Sequence, residues 1–129
     1  MNNTWIIDSS FALCFLLPDE HSKEVDDMFE LYAQGERKLC SSPLLFFEVY
    51  NGLASAVRRK RIDQKKAAEL MNLFHTLKIP TIECEYALSL DLAFEYSLSF
   101  YDATYVALAK ANKLPLLTLD SKLKEIFSR

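Results

Sequence analysis

Only two glycines and four prolines punctuate the 129 residues, which leaves little material for flexible linkers or low-complexity tracts. So few glycines also exclude a glycine-rich phosphate loop or a dinucleotide fingerprint, each of which needs them at fixed spacings. The longest unbroken apolar run, residues 11–17, is far short of the roughly twenty needed to span a membrane. No basic leader precedes the first strand-like segment, so the expectation is a cytoplasmic protein without a membrane partner. Cysteine is sparse and odd in number: Cys14, Cys40 and Cys84 sit among apolar residues without metal-type spacing and read as reduced thiols. His21 and His75 have no helical or short-range relation and read as surface residues, which excludes a histidine-based metal site or triad. A net charge of −3 argues against binding nucleic acid through overall positive charge.

What remains is a chain half hydrophobic and about a quarter charged, of a length that suits one domain, 1–129, with a continuous core and no repeat at solenoid periods. Thr4-Trp5-Ile6-Ile7 reads as a buried strand ending at Asp8. Ser9 or Ser10 then caps a helix that Pro18 stops. A second helix covers 19–33, ended by Gly35, and Lys38-Leu39-Cys40-Ser41 reads as a second strand. Ser42-Pro43 opens a long helix to about Arg59. Asp63 starts another helix to about Leu77, and Pro80-Thr81-Ile82-Glu83 reads as a third strand. Tyr86, Leu90, Ala93, Phe94 and Ser97 share a face of the next helix, and Asp102 opens a further one. Leu114 to Leu119 is the fourth strand, ending at Asp120, and residues 122–127 form a closing helical turn. Short apolar strands alternating with helices predict an α/β, three-layer α/β/α domain around a mainly parallel sheet of four to five strands. In such sheets ligands sit outside the carboxyl ends of strands, where the strand order reverses, and Asp8 and Asp120 both occur at that kind of position.

Four acids are therefore candidates for chemistry. Asp8, Asp102 and Asp120 stand at strand-end or helix-start junctions, where each by itself could be a helix cap. Glu48 interrupts Leu44-Leu45-Phe46-Phe47 and Val49-Tyr50, in a helix apolar on nearly every side. A buried carboxylate there needs a cation, a partner or a proton, and Gly52, one turn on, is expected to leave space beside it. Four anions gathered without cations repel one another. A divalent cation resolves the conflict, since Mg²⁺ and Mn²⁺ favour oxygen ligands and can activate water against a phosphodiester.

Ile6-Ile7-Asp8-Ser9-Ser10, Phe47-Glu48-Val49-Tyr50-Asn51-Gly52-Leu53, the run from Tyr101-Asp102-Ala103 to Ala109, and Leu117-Thr118-Leu119-Asp120 together resemble the PIN-domain family, and within it the VapC-type toxins of toxin–antitoxin pairs. The resemblance spans nearly the whole chain in the family's order. It implies that Asp8, Glu48, Asp102 and Asp120 are the catalytic and metal-site acids, Asp8 and Asp102 the most direct ligands. It further implies that Ser10 and Thr118 support them from behind. Mg²⁺- or Mn²⁺-dependent endonucleolytic hydrolysis of RNA, a homodimer and a cognate antitoxin are implied with them. The chain ends early for the family's fifth edge strand.

The dense basic segment is Arg58-Arg59-Lys60-Arg61, with Lys65 and Lys66. It follows the helix that carries Glu48, so it could lie near the acids and engage RNA phosphates. The alternatives are a solvated helix end or contacts to an acidic antitoxin tail. Phe46, Phe47, Phe94, Phe100 and Tyr101 read as core or dimer-interface residues rather than stacking surfaces for bases. Two rival functions share the parallel sheet: a phosphoacceptor signalling domain, which normally has paired acids after the first strand, and a non-catalytic interaction module whose acids are only caps.

Overall fold

A short central strand, β1 (Thr4–Ile7), organises the molecule, and the computed structural model describes residues 4–127. Parallel partners flank it on both sides, β2 (Lys38–Cys40) and β3 (Leu116–Leu117), giving the order β2-β1-β3. Trp5 lies opposite Leu39, and Ile6 is opposite both Cys40 and Leu116. Side chains alternate across a strand, and here both faces are covered. Ile7 and Leu39 join the core beneath the first four helices, whereas Ile6 and Cys40 pack with Leu108 and Ala109 on the other face. The result is the expected three-layer α/β/α arrangement.

On one face lie α1 (Ser9–Leu16), α2 (Lys23–Ala33), α3 (Leu44–Arg58) and α4 (Gln64–Thr76). On the other, α5 (Tyr86–Tyr96) and α6 (Phe100–Asn112) pack together, with Leu92, Ala93, Ala103, Val106 and Ala107 sharing a cluster with Leu123 and Ile126 of α7 (Ser121–Phe127). Small alanines on α6 let it lie close over the sheet. No helix among the described residues is long and apolar enough to cross a membrane.

Several local expectations need correction. Asp8, not Ser9 or Ser10, caps α1: its side chain accepts from the Phe11 amide at 3.1 Å. The second helix starts at Lys23 rather than residue 19, because Asp19 and Glu20 are held outside it by Arg61, at 2.7 Å and 2.6 Å. The sheet has three strands among the described residues. The segment 80–83 contributes a single parallel bridge, Thr81 to Ser41, at the outer edge of β2. Pro80 has no amide to donate, and Thr81 and Glu83 are exposed, so nothing drives a longer pairing. In the segment 114–119 only two residues join the ladder, since Pro115 can only accept, from Ile6 at 2.9 Å. Gly52 has a different task from the one expected. A Cβ there would stand 2.5 Å from Leu13 Cδ1, so the glycine lets α3 approach α1 closely instead of opening space beside Glu48. Cys14, Cys40 and Cys84 are free thiols, the last only half-buried.

Candidate active site

β1 has neighbours reached in opposite directions, so the strand order reverses at it. Its carboxyl end is where this topology leaves a crevice. Asp8 occupies that end and is buried, at 4 % exposure. The cap bond to Phe11 uses Oδ1, which also accepts the Ser10 hydroxyl at 2.7 Å. Oδ2 accepts the Thr118 hydroxyl in a short hydrogen bond. Ser10 and Thr118 each receive a backbone amide in turn, from Leu119 at 2.9 Å and Asp120 at 3.0 Å. These two hydroxyls thus pin the segment after β3 against the end of β1.

Three further elements bring the other acids. Asp120 lies just beyond β3, where Oδ1 receives the Lys122 and Leu123 amides at 2.9 Å and 3.1 Å and starts α7. Asp102 is in the first turn of α6, whose cap is Ser99. It therefore does not open the helix itself. Glu48 projects from the second turn of α3, and its Oε1 accepts from Ser9 at 3.1 Å and from Tyr105 at 2.7 Å.

The charges of the other three acids reach Asp102, and that of Asp120 reaches Asp8. Burial raises the Asp102 carboxyl above its usual range, and the charges of Glu48, Asp120 and Asp8 raise it further. Burial likewise raises Asp8, with a smaller contribution from Asp120, against the lowering effect of Thr118, Ser10 and the Phe11 amide. None of the four takes part in an ion pair among the described residues. Nor do any three His, Cys, Asp or Glu side chains there close into a ready-made ion cage. Asp8 and Glu48 are turned onto hydroxyl donors. The set is a loose group of hard oxygen donors, which fits a cation such as Mg²⁺ that keeps several waters and needs only a few carboxylates.

Tyr105 and Ser9 were not singled out from sequence. Tyr105 sits in an apolar run, yet a buried phenol normally finds a partner, and here it is Glu48. Burial and the Glu48 carboxylate push its titration far upward, so it stays a donor.

The basic segment is elsewhere. Arg58 is ten positions beyond Glu48 on α3, about 15 Å along the axis. Arg61 is bound to Asp19 and Glu20 just after α1, at the end opposite Asp8. The basic residues thus occupy the far end of the paired helices α1 and α3, with Arg58, Arg59 and Lys60 exposed. Of the five aromatics, only Phe46 packs against the core; Phe47, Phe94, Phe100 and Tyr101 are exposed. His21 and His75 are exposed, as expected.

Comparison with known proteins bears on this geometry. The PIN-domain family model matches residues 5–127. The chain is 30% identical over 126 residues to Ribonuclease VapC3 of Pyrobaculum aerophilum, covering 95% of this chain and 93% of that protein. Two crystal structures share the fold. PAE2754 from Pyrobaculum aerophilum aligns at a TM-score of 0.74 and 23% identity, over 93% of this chain and 76% of that one. VapC20 of Mycobacterium tuberculosis, described as a sarcin-ricin loop cleaving toxin, aligns at 0.62 and 15% identity, over 95% and 94%.

Proposed function

The chain belongs to the PIN-domain family, and from that premise we propose that it is a divalent-metal-dependent endoribonuclease, the toxin of a toxin–antitoxin pair. One observation carries the reading: carboxylates from four elements lie within electrostatic reach of one another around the carboxyl end of β1, the charges of Glu48, Asp120 and Asp8 all acting on Asp102. Isolated helix caps have no reason to converge in this way. The phosphoacceptor alternative lacks its second acid, because Ser9 follows Asp8 and donates to Glu48.

In this reading Asp8, Asp102, Glu48 and Asp120 would hold Mg²⁺ or Mn²⁺. Such a cation would supply stabilisation of the charge developing on the phosphate and a more acidic attacking water. The chain's own residues prepare the place. Ser10 and Thr118 fix the direction of the Asp8 carboxylate, and burial at the end of β1 keeps bulk water from competing for it. Arg58, Arg59 and Lys60 suit phosphates at a distance from the cleaved bond rather than at it. Tyr86, Leu90 and Phe94 recur along one face of α5, all exposed, an apolar strip suited to a second copy. The antitoxin would be the product of a neighbouring gene, expected to silence the toxin.

The test uses purified protein and a mixture of tRNA, rRNA and unstructured RNA. Cleavage should require added Mg²⁺ or Mn²⁺, stop with EDTA, and return when the metal is restored. Arg59→Glu with Lys60→Glu should raise KM and flatten the salt dependence while leaving kcat in place. Cleavage that persists in EDTA, or that survives both Asp8→Asn and Asp102→Asn, refutes the assignment.

A further inference from the structure

Glu48 is held by one of its two oxygens. Both its hydroxyl donors, Tyr105 at 2.7 Å and Ser9 at 3.1 Å, meet Oε1, whereas Oε2 accepts no hydrogen bond among the described residues. The donors arrive from the elements that carry the neighbouring acids. Ser9 directly follows Asp8, and Tyr105 stands one helical turn after Asp102 on α6. Tyr105 is fully buried, at 0 % exposure, and its ring is part of the core under α1 and α3. A buried side chain in a close-packed core has one position to offer. Its hydroxyl therefore fixes a point in space, and a bond to a carboxylate is about twice as strong as one between neutral groups.

We propose that Tyr105 and Ser9 are positioning residues that clamp Oε1 of Glu48 and so reserve Oε2 for the cation. The proposal rests on the nuclease reading above. It assigns work to two residues that are not themselves ligands and that tie the spacing of Asp8, Glu48 and Asp102 together. A merely structural role would place the carboxylate in the service of the tyrosine, as a partner for a buried hydroxyl. The clamp reverses that dependence, and metal affinity tells the two apart.

The experiment measures Mn²⁺ binding by calorimetry and by electron paramagnetic resonance on the whole purified chain without RNA, next to its thermal midpoint and its RNA cleavage. Tyr105→Phe keeps the ring and removes the donor. Its Mn²⁺ Kd should rise about tenfold or more, the usual cost of losing a group that orients a ligand. Ser9→Ala should shift it in the same direction by less, and Ser9→Thr, which keeps a hydroxyl, should restore it. Tyr32→Phe is the control, because that hydroxyl donates to the Leu77 carbonyl at 2.8 Å on another part of the molecule; its Kd should equal that of the wild type. If the wild type binds Mn²⁺ and cleaves RNA while Tyr105→Phe and Ser9→Ala bind within about twofold of it, the clamp is wrong and the nuclease reading stands. If the wild type itself neither binds Mn²⁺ nor cleaves, the nuclease reading fails and takes the clamp with it. Should Tyr105→Phe fail to fold, Ser9→Ala and Ser9→Thr decide the matter by the same criterion.

Discussion

Asp8 combines two tasks that substitution can separate. As a helix cap and hydrogen-bond acceptor it contributes to stability; as an ionised, buried group it opposes folding. Asp8→Asn retains an oxygen for the Phe11 amide and the Ser10 hydroxyl, and its new amide can donate to Thr118 Oγ1. The Thr118 hydroxyl then turns to Ser10 Oγ, already 3.3 Å away. Asp8→Ala loses all of this. The missing cap costs about 1 kcal/mol, and the two hydroxyls, left with only their contact to each other, cost about 1–2 kcal/mol together. The alanine variant should therefore be less stable than the asparagine variant by about 2–3 kcal/mol, or roughly 10 °C in Tm for a domain of this size. The sign with pH follows from the raised carboxyl of Asp8, whose ordinary value is 3.8. Its protonated form is favoured in the folded state, so that contribution to stability is present below 3.8 and lost as pH rises through the raised value. At neutral pH Asp8→Asn should melt at or above the wild type, and the advantage should shrink as pH falls towards 4. Both variants should lose metal-dependent cleavage. Calorimetric melts between pH 4 and 8, with an RNA cleavage assay on the same samples, give the answer. Equal melting of the two variants would refute the hydrogen-bond accounting, and an active Asp8→Asn would refute the placement of Asp8 in the catalytic site.

Three more perturbations test other parts of the same account. Asp102→Asn should raise Tm at neutral pH and progressively less towards pH 4, since burial, Glu48, Asp120 and Asp8 all disfavour its charge; a lower Tm at pH 7 would contradict that reading. Tyr50 has a buried hydroxyl without a hydrogen-bond partner among the described residues. Tyr50→Phe should thus stabilise the fold by about 1 kcal/mol, read from chemical denaturation, and a loss of stability would show a partner that the hydroxyl needs. Gly52→Val should lower stability by about 1–3 kcal/mol by wedging α3 from α1 at Leu13. It should also weaken cleavage, because α3 carries Glu48; unchanged values of both would show that Leu13 yields freely.

The fold was legible where burial imposes a period and illegible where a few polar bonds decide. Ile6 and Ile7 announce a strand covered on both faces, and the Ala103–Ala109 run announces a helix lying on a sheet. By contrast, in Pro80-Thr81-Ile82-Glu83 the proline's missing amide is visible, but not that Thr81 and Glu83 face solvent and leave a single bridge. Thr118 lies just past β3 and turns its side chain to Asp8, and a sequence does not state which distant acceptor a hydroxyl will choose. Gly52 was noticed for its small size, but its neighbour is Leu13, 39 positions away.

The candidate site shows the same division. Its charged members could be read because carboxylates are conspicuous at a strand end or inside an apolar helix, although only Asp8 proves to be buried, Glu48 and Asp102 being half-buried and Asp120 exposed. Tyr105 could not, since a phenol is half hydrocarbon and disappears into an apolar pattern. Yet its buried hydroxyl needs an acceptor, and the half-buried Glu48 carboxylate supplies one. The dense basic segment offers no rival solution, being anchored by Arg61 at the opposite end of α1 and α3, and the Lys122 ammonium donates to the Ser97 carbonyl instead. In the proposed reading, repulsion at the end of β1 would be left for a mobile cation to relieve, while hydroxyls fix the Asp8 and Glu48 carboxylates. Such a site would keep its geometry in neutral groups and its charge balance in an exchangeable ion, so removing the ion should silence the chain without unfolding it.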